Sequence, residues 1–363
     1  MAALAALSYG WAMANAQLEP FYGSAARSMA ENWHNFIFGA VDPWGTVSVD
    51  KLPGALWFQA LSLRVFGFHV WALVLPQVVE GTLTILVLFR AVRRVAGAGA
   101  GLIAALVMAS SPIVILLDHG NISDTLLILF LVLAADATMR GVLENRPRSL
   151  LLAGLWVGLA FQTKMLQAWL ILPALYATYL LAAPIASRAR RLWHIALSAV
   201  VVLVVSLSWM TAVSIVPAQD RPYVDGSCNN SLFDQVFLYN GLHRLAPALD
   251  RSSGCHTLTP YLVAQGRFAA KVGINTAGIA PAWDRLITGV FGHDDAWLLP
   301  ATVIATIGIF LSRRRKPRTD PLRAVAVLWS LWLVLSFGFF SGGVYLNSYY
   351  VAELLPAIAV LCG

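Results

Sequence analysis

The chain has 363 residues, of which 59% are hydrophobic and only 12% are charged, and its mean hydropathy is +0.71. Soluble domains carry about 25% charged residues, so this composition excludes an ordinary soluble enzyme and predicts a polytopic membrane protein. The net charge of +7 does not indicate nucleic-acid binding, because the basic residues lie in short clusters between apolar runs, as topology signals do.

The apolar runs predict an all-α bundle that occupies residues 1–363 as one transmembrane domain, with roughly ten crossings of about 20 residues each. Residues 1–16 form a short first span without a basic flank, and the chain stops at Gly363 inside an apolar run. We therefore expect a chain that is incomplete at both ends. Residues 54–66 have helical spacing, which favours a helix along the interface. Glu80 lies within the next run and should face protein rather than lipid.

Clusters of basic residues set the predicted orientation. They begin at Arg90, Arg140, Arg188 and Arg313. By the positive-inside rule, the side that carries them is cytoplasmic. The loops 17–53, 217–290 and 341–349 should then lie outside, and the protein should be integral to the plasma membrane with its active site facing outward.

The first of these loops, residues 17–53, is rich in aromatic and ionisable side chains. The ionisable ones are Glu19, Arg27, His34, Asp42, Asp50 and Lys51. Carboxylates, bases and aromatic rings at a membrane surface favour a site for a charged, partly apolar substrate. The alternative is an interfacial loop whose aromatic rings lie at headgroup depth.

Further ionisable residues lie at predicted helix ends. Asp118 ends the run 97–117, which we expect to be one crossing, and Asp124 follows it across a short turn. Lys164 joins the runs 149–162 and 166–186 and should be buried below the outer surface. A buried lysine is costly unless it meets an anion. The alternative is a snorkelling or salt-bridged lysine.

Two cysteines share a predicted external loop. Cys228 and Cys255 both lie within 217–290, where a disulfide is permitted, and two unpaired thiols are the alternative. Cys362 lies in the last apolar run and is most simply a small apolar residue.

The chain contains no Gly-rich phosphate loop, nucleophile elbow or Cys/His metal cluster. Its acidic loops, buried lysine and aromatic segments instead match the needs of a transferase that uses a lipid-phosphate sugar. In such an enzyme a carboxylate takes the proton of the acceptor hydroxyl. Cations hold the phosphate as negative charge develops on the leaving group. Apolar and aromatic walls hold the polyprenyl tail and the sugar.

Short motifs in a fixed order carry a family resemblance. They are Ser28-Met29-Ala30-Glu31-Asn32-Trp33-His34-Asn35-Phe36, Phe38-Gly39-Ala40-Val41-Asp42-Pro43, Val49-Asp50-Lys51-Leu52-Pro53, Asn121-Ile122-Ser123-Asp124, Gln162-Thr163-Lys164-Met165-Leu166-Gln167, Asp220-Arg221-Pro222-Tyr223, Tyr239-Asn240-Gly241 and Leu346-Asn347-Ser348-Tyr349-Tyr350. Over nearly the whole chain the sequence resembles glycosyltransferase family 39 of the membrane-embedded C class, the protein O-mannosyltransferase and aminoarabinose-transferase group. It looks like a bacterial, actinobacterial branch, so the expected membrane is a bacterial inner membrane. The resemblance implies an inverting, polyprenyl-phosphate-sugar-dependent glycosyltransferase.

The resemblance leaves the catalytic base open. The family has an Asp-Glu pair at the start of the first external loop, with the Asp as base. Here the pair reads Leu18-Glu19, so the first acid is missing. The resemblance therefore offers three candidates for the catalytic carboxylate, which are Glu19, Asp50 and Asp124.

The resemblance also implies binding residues. The acidic-Lys-Pro element of the aminoarabinose transferases matches Asp50-Lys51, with Leu52 inserted before Pro53. Its acid can ligate a metal in those relatives, which makes Asp50 a candidate metal ligand as well. The sequence requires no cofactor and leaves a divalent metal open. The expected donor-phosphate-binding residues are Lys164, Lys51 and Arg27. The expected substrate-binding residues are Asp118, Asn121, Arg221, Tyr223, Asn240, Asn347 and Tyr349.

The expected partners are a polyprenyl-phosphate sugar, membrane lipid and an acceptor that is a protein, a glycan or a lipid, with no nucleic acid. A membrane transporter or lipid flippase is one rival. It would predict internal repeats and helices broken at the bilayer midplane, and no repeat is visible. A catalytically inactive accessory subunit is a second rival, because the first acid of the family pair is missing.

Overall fold

The computed structural model describes residues 2–244, 281–288, 292, 296–343 and 347–363. In this part of the chain the regular structure is helical, apart from two isolated β-bridges that join residue 40 to 48 and residue 47 to 223. The helices are α1 (Ala2–Gly10), α2 (Pro20–Glu31), α3 (Trp33–Phe38), α4 (Gly54–Phe66), α5 (Val70–Ala96), α6 (Ala98–Ser110), α7 (Pro112–Asp118), α8 (Asp124–Leu143), α9 (Arg148–Lys164), α10 (Leu172–Ala182), α11 (Arg188–Ile215), α12 (Leu299–Arg313), α13 (Pro321–Gly342) and α14 (Leu355–Cys362). The predicted all-α class is confirmed.

Five described helical segments are long and apolar enough to cross a membrane, or six if the bent pair α6–α7 counts as one span. They are Val70–Ala96, Asp124–Leu143, Arg148–Ala182, Arg188–Ile215 and Pro321–Gly342. The shorter apolar helices Leu299–Arg313 and Ser348–Cys362 fall below that length. The expected number of about ten crossings therefore stays a prediction.

The centre of the bundle is formed by α5, α8, α9 and α11, each packed on the next. Glycines let α9 and α11 approach closely. A Cβ atom at Gly154 would lie 2.7 Å from the Ser198 carbonyl oxygen, and one at Gly158 would lie 2.5 Å from the Val205 Cβ atom. Small residues at such crossings are typical of membrane helix pairs, whose association depends on close packing.

The run 97–117, which we expected to be one crossing, is bent. Its two helices, α6 and α7, meet at an angle of 66°. Pro112 begins α7, and Ser111 before it has an extended ψ of 124°. Proline lacks a backbone N–H and disfavours helical backbone at the preceding residue, so the helix breaks there.

Helices α9 and α10 form a hairpin with Lys164 at its turn. Met165 has a φ of 50°, which ends α9. Ser198, in α11, connects the two helices. The Tyr176 hydroxyl of α10 donates to the Ser198 hydroxyl oxygen at 3.4 Å, and the Ser198 hydroxyl donates to the Leu150 carbonyl, near the start of α9, at 2.8 Å. The 17 residues of α9 correspond to about 25 Å of helix, which separates the two ends of the bundle.

We call the end that contains Lys51 and Lys164 the lysine end, and the end that contains the basic clusters beginning at Arg90, Arg140, Arg188 and Arg313 the arginine end. At the lysine end, the first loop is fixed by its own hydrogen bonds. Asp42 accepts from the backbone N–H groups of residues 44, 46 and 47 at 3.0–3.1 Å. The Ser48 N–H donates to the Tyr223 carbonyl at 2.9 Å, which ties this loop to the one after α11.

Candidate functional site

A buried ion pair joins α8 to α9 at the lysine end. The Lys164 ammonium donates to Asp124 Oδ1, and the two side chains are only 6% and 2% exposed. The Lys164 Nζ atom also lies 3.6 Å from the Tyr350 ring centroid and 5.2 Å from that of Tyr349. Burying a lysine costs several kcal/mol, which the carboxylate and the ring faces offset. The predicted burial of Lys164 is present in the structure.

A second lysine–aspartate pair lies beside the first. The Lys51 Nζ atom is 3.9 Å from Asp50 Oδ1, with both side chains under 10% exposed. It lies 4.2 Å from the Tyr22 ring centroid, and the Tyr22 hydroxyl is 3.4 Å from the same Asp50 oxygen. The charges of Lys51 and Lys164 repel each other. Two neighbouring buried ammonium groups attract an anion strongly.

Glu19 is anchored next to these pairs. It precedes α2, and its Oε2 accepts from the Tyr22 backbone N–H at 2.9 Å as an N-cap. Burial raises the pKa of Glu19 above its usual range, and the hydrogen bond from Tyr22 and the Lys51 charge offset that shift only in part. A carboxylate with a raised pKa is better matched to general-base catalysis near neutral pH.

Two predicted substrate-binding asparagines hold the backbone of the candidate acids. Asn121 accepts from the Glu19 N–H at 2.7 Å and donates to the Glu19 carbonyl at 3.0 Å. Asn240 donates to the Asp50 carbonyl at 2.7 Å and to the Gln235 carbonyl at 2.9 Å. The structure therefore assigns both side chains to positioning Glu19 and Asp50. Direct substrate contact by either asparagine stays a prediction.

We call Lys51, Lys164 and the carboxylates and tyrosine rings around them the lysine cluster. Arg27 does not join it. Its side chain is 65% exposed, pairs with Glu31 one helical turn away at 3.4 Å, and lies 4.9 Å from the Phe68 ring centroid. It lies on an exposed face of α2, and its expected role in phosphate binding stays a prediction.

The Asp118 side chain is directed into the bundle. It is 2% exposed and faces α5, where a Cβ atom at Gly81 would lie 1.9 Å from Asp118 Oδ2. It interacts with Glu80 and Thr125. A substrate contact by Asp118 stays a prediction. Glu80 is 6% exposed and faces protein, as expected.

Arg221 and Tyr223 shape the loop after α11. Arg221 donates to Asn230 Oδ1 and to the Asn230 carbonyl, each at 2.9 Å. The Tyr223 hydroxyl donates to the Ser227 carbonyl at 2.8 Å. These polar groups are used within the loop, so the structure gives both residues a supporting role. Asn347 instead donates to the Tyr349 hydroxyl at 3.0 Å, within the aromatic wall around Lys164.

Sequence reasoning missed two acidic residues of the cluster. Burial raises the pKa of Asp225 to about 6, and the charge of Asp50 adds to the shift. Glu353 is 1% exposed, accepts from Gln167 at 2.8 Å and from Ser336 at 3.2 Å, and interacts with Lys164. Glu353 is an acid within an apolar run, a signal that marks functional positions in membrane helices. Asp225 gave no comparable signal.

Sequence reasoning also missed cations and rings of the cluster. Arg244 interacts electrostatically with Asp50 and Tyr350. Tyr22 and Tyr350 cover the two lysines, as described above. Tyr350 ends one of the motifs that carry the family resemblance, whereas Tyr22 lies in a helix segment outside those motifs.

The described residues offer no metal centre. In that part of the chain, His, Cys, Asp and Glu side chains form no group of three that could hold a metal ion. Within those residues Asp50 has Asp225 in its field but no third ligand of this kind, and a metal at Asp50 stays a prediction. Cys228 is disulfide-bonded, and the expected partner, Cys255, lies outside the described residues.

The sequence is similar to a family model and to two curated proteins. Residues 50–209 match the family model described as Dolichyl-phosphate-mannose-protein mannosyltransferase. Two Bacillus subtilis (strain 168) proteins that are provisionally named mannosyltransferases, YycA and YkcB, are 31% and 30% identical over 94% and 95% of this chain. The chain spans only 59% and 58% of their lengths.

Solved structures show the same fold. ArnT from Cupriavidus metallidurans bound to undecaprenyl phosphate matches with a TM-score of 0.65 and 21% identity, over 99% of this chain and 58% of that one. The Archaeoglobus fulgidus oligosaccharyltransferase, tethered with an acceptor peptide, matches with a TM-score of 0.59 and 16% identity, over 99% and 48%.

The bundle and its polar cluster define a membrane protein with the C-class glycosyltransferase fold. Within that class, the predicted resemblance to the mannosyltransferase and aminoarabinose-transferase group is confirmed.

Proposed function

We propose that the chain is the membrane-embedded part of a glycosyltransferase that moves a sugar from a polyprenyl-phosphate donor to an acceptor hydroxyl. One observation carries this proposal. The lysine end buries two ammonium groups, of Lys51 and Lys164, beside carboxylates and under tyrosine rings. The family match and the undecaprenyl phosphate bound to ArnT support a donor of this chemistry.

The reaction is a single displacement with inversion. Glu19 takes the proton of the acceptor hydroxyl, and the hydroxyl oxygen forms a bond to the anomeric carbon of the sugar. The bond between that carbon and the phosphate oxygen breaks, and its electron pair leaves with the polyprenyl phosphate. Lys51 and Lys164 stabilise the added negative charge. The proton ends on Glu19.

Asp50 and Asp124 are the other two candidate bases, in that order. The Asp124 carboxylate is already bound by Lys164 and heads α8, where the helix dipole stabilises its charge. Asp50 is paired with Lys51. Among the described residues, no lysine lies within salt-bridge distance of Glu19, so its carboxylate is not held in an ion pair with a lysine as those of Asp50 and Asp124 are.

We place the lysine end at the outer face of the plasma membrane. The basic clusters lie at the arginine end, and the positive-inside rule assigns that end to the cytoplasm. The acceptor would then be a protein, glycan or lipid outside the cell.

The test incubates purified full-length protein with a panel of decaprenyl- and undecaprenyl-phosphate sugars and measures released lipid phosphate. We expect release with at least one donor, and loss of donor binding in Lys51→Met. Lys316→Met removes an exposed lysine at the arginine end and is the matched control. A protein that moves labelled donor across vesicles without releasing lipid phosphate would be a transporter. Binding without release from any donor in the panel would favour an accessory subunit.

A further inference from the structure

A cavity of about 590 Å³ lies at the arginine end, remote from the lysine cluster. It is enclosed by the end of α10, the start of α11, and the segment that joins α12 to α13. Its apolar lining includes Leu180, Leu181, Leu192, Phe310, Ala324 and Val327. Its basic lining consists of Arg188, Arg191, Arg318 and Arg323. The volume falls within the range of about 300–1,000 Å³ that is typical of ligand pockets.

Arg191 is the buried part of this cavity. Arg191 is only 6% exposed, and its Nη1 donates to the Leu180 carbonyl. Its Nε–H is buried and has no hydrogen-bond partner among the described residues. The neighbouring Arg188 and Arg318 add repulsion to the Arg191 charge. A buried cation with an unused donor, surrounded by further cations, would be stabilised by an anion that accepts from it.

Helix capping explains only part of this arrangement. Arg318 donates to the carbonyl groups of Leu181 and Ala183 at 3.1 and 2.7 Å, and so satisfies the end of α10. Among the described residues, the guanidinium groups of Arg188 and Arg323 do not cap α10 in this way. There, the Arg323 Nη1 reaches only the Lys316 carbonyl, at 3.5 Å.

Carboxylates do not neutralise the cavity either. In the lining residues there are four arginines and no acid. Asp320 lies at the rim, where it caps the Arg323 backbone N–H at 2.9 Å and lies 3.8 Å from Arg313, which is outside the lining. The cavity therefore carries an excess of positive charge over apolar walls.

We propose that this cavity binds an anionic phospholipid from the leaflet at the arginine end. The phosphodiester would meet Arg188, Arg191 and Arg323, and the first part of the acyl chains would lie along Leu192 and Phe310. Charge complementarity and apolar walls between membrane helices favour a lipid over a free anion. This inference does not depend on the proposed glycosyltransferase function, because the cavity and the lysine cluster lie at opposite ends of the bundle.

The test compares two double variants of the full-length protein in nanodiscs. Arg188→Gln/Arg323→Gln removes two lining cations, whereas Arg314→Gln/Arg315→Gln removes two arginines of the adjoining basic segment that do not line the cavity. Retention of phosphatidylglycerol over phosphatidylcholine is measured by mass spectrometry of the intact complex. We expect about fivefold weaker phosphatidylglycerol binding per lining arginine, hence about 25-fold for the double variant. The control should bind as the parent does.

A third variant tests the buried contact. Arg191→Gln should lose phosphatidylglycerol selectivity, and a thermal melt in detergent shows whether the variant still folds. If Arg191→Gln does not fold, the double variant Arg188→Gln/Arg323→Gln still tests the proposal. Equal losses in both double variants would overturn the proposal, because general surface charge would then explain binding. Competition by sn-glycerol 3-phosphate as effective as by phosphatidylglycerol would overturn it in favour of a soluble anion site.

Discussion

The two ends of the bundle both bury carboxylates among cations, but in opposite proportions. At the arginine end a single acid, Asp136, is fully buried and is paired with Arg90, Arg94 and Arg140 at 3.1, 2.8 and 2.7 Å. These arginines are 53%, 23% and 28% exposed, so their charges stay partly in water while the acid does not. The Asp136 carboxylate is thus fully paired and ties α5 to α8, although the Arg140 Nε is buried without a hydrogen-bond partner among the described residues.

At the lysine end the cations themselves are buried. Lys164 and Lys51 each have one carboxylate partner, and each lies against a tyrosine ring. Among the described residues, Asp124 keeps one oxygen that is buried without a hydrogen-bond partner. A buried acid surrounded by partly exposed arginines therefore stabilises a helix pair, whereas buried lysines with one carboxylate each have capacity left for an anion.

The largest contrast between the ends should appear in turnover. Glu19→Gln removes the proposed base and should lower the rate by about 10²–10⁴-fold while donor binding is kept. Single-turnover kinetics with a bound donor measures this effect. Glu31→Gln, in the same region but paired only with exposed Arg27, should turn over normally. Normal turnover in Glu19→Gln would move the role to Asp50, to be tested by Asp50→Asn.

The next effect should be on donor affinity. Lys164→Met removes a charge-assisted contact worth about 1.5–3 kcal/mol, so donor affinity should fall by one to two orders of magnitude. It also leaves Asp124 buried without its cation, which lowers stability. The double variant Lys164→Met/Asp124→Asn separates these effects, because it removes the orphan charge but does not restore the phosphate contact. Parent-like donor affinity in the folded double variant would make Lys164 purely structural.

The sequence could predict the helices, the acidic first loop and the buried Lys164, because apolar length and single charges in apolar runs report burial directly. It could not show which carboxylate each cation meets. Asp118 and Asp124 are similar in sequence, yet the bend at Pro112 sends Asp118 towards Gly81 and leaves Asp124 for Lys164. The sequence could not show that Arg27 is exposed for a related reason, since the rotation of α2 decides which of its side chains face inward.

Asp136→Asn should affect stability rather than chemistry. Removing the acid leaves the surrounding arginines to repel one another. The expected loss in the free energy of unfolding is about 2 kcal/mol, below the 3–5 kcal/mol of a fully buried pair because the arginines are partly solvated. Unfolding in detergent measures it, and Glu144→Gln, whose acid is 33% exposed, should cost under about 0.5 kcal/mol. Loss of turnover by folded Asp136→Asn would contradict the structural role.

The smallest effect should be a pH dependence centred on Asp225. Burial raises its pKa from 3.8 to about 6. The folded protein therefore favours the protonated acid. Its stabilisation is complete below pH 3.8 and is lost as pH rises through about 6. Asp225→Asn mimics the protonated form, so it should flatten this pH dependence and stabilise the protein at pH 7 by about 1 kcal/mol, after allowance for solvent screening.

Asp220→Asn changes an exposed acid in the same loop and should leave the pH dependence of unfolding intact. Asp225 also lies in the field of Asp50, so Asp225→Asn removes a negative charge beside that acid. If Asp225 is only a buried loop residue, Asp225→Asn will change stability without changing the pH–rate profile. If it belongs to the lysine cluster, Asp225→Asn should change the pH–rate profile as well. A pH–stability curve unchanged from that of the parent would contradict both roles.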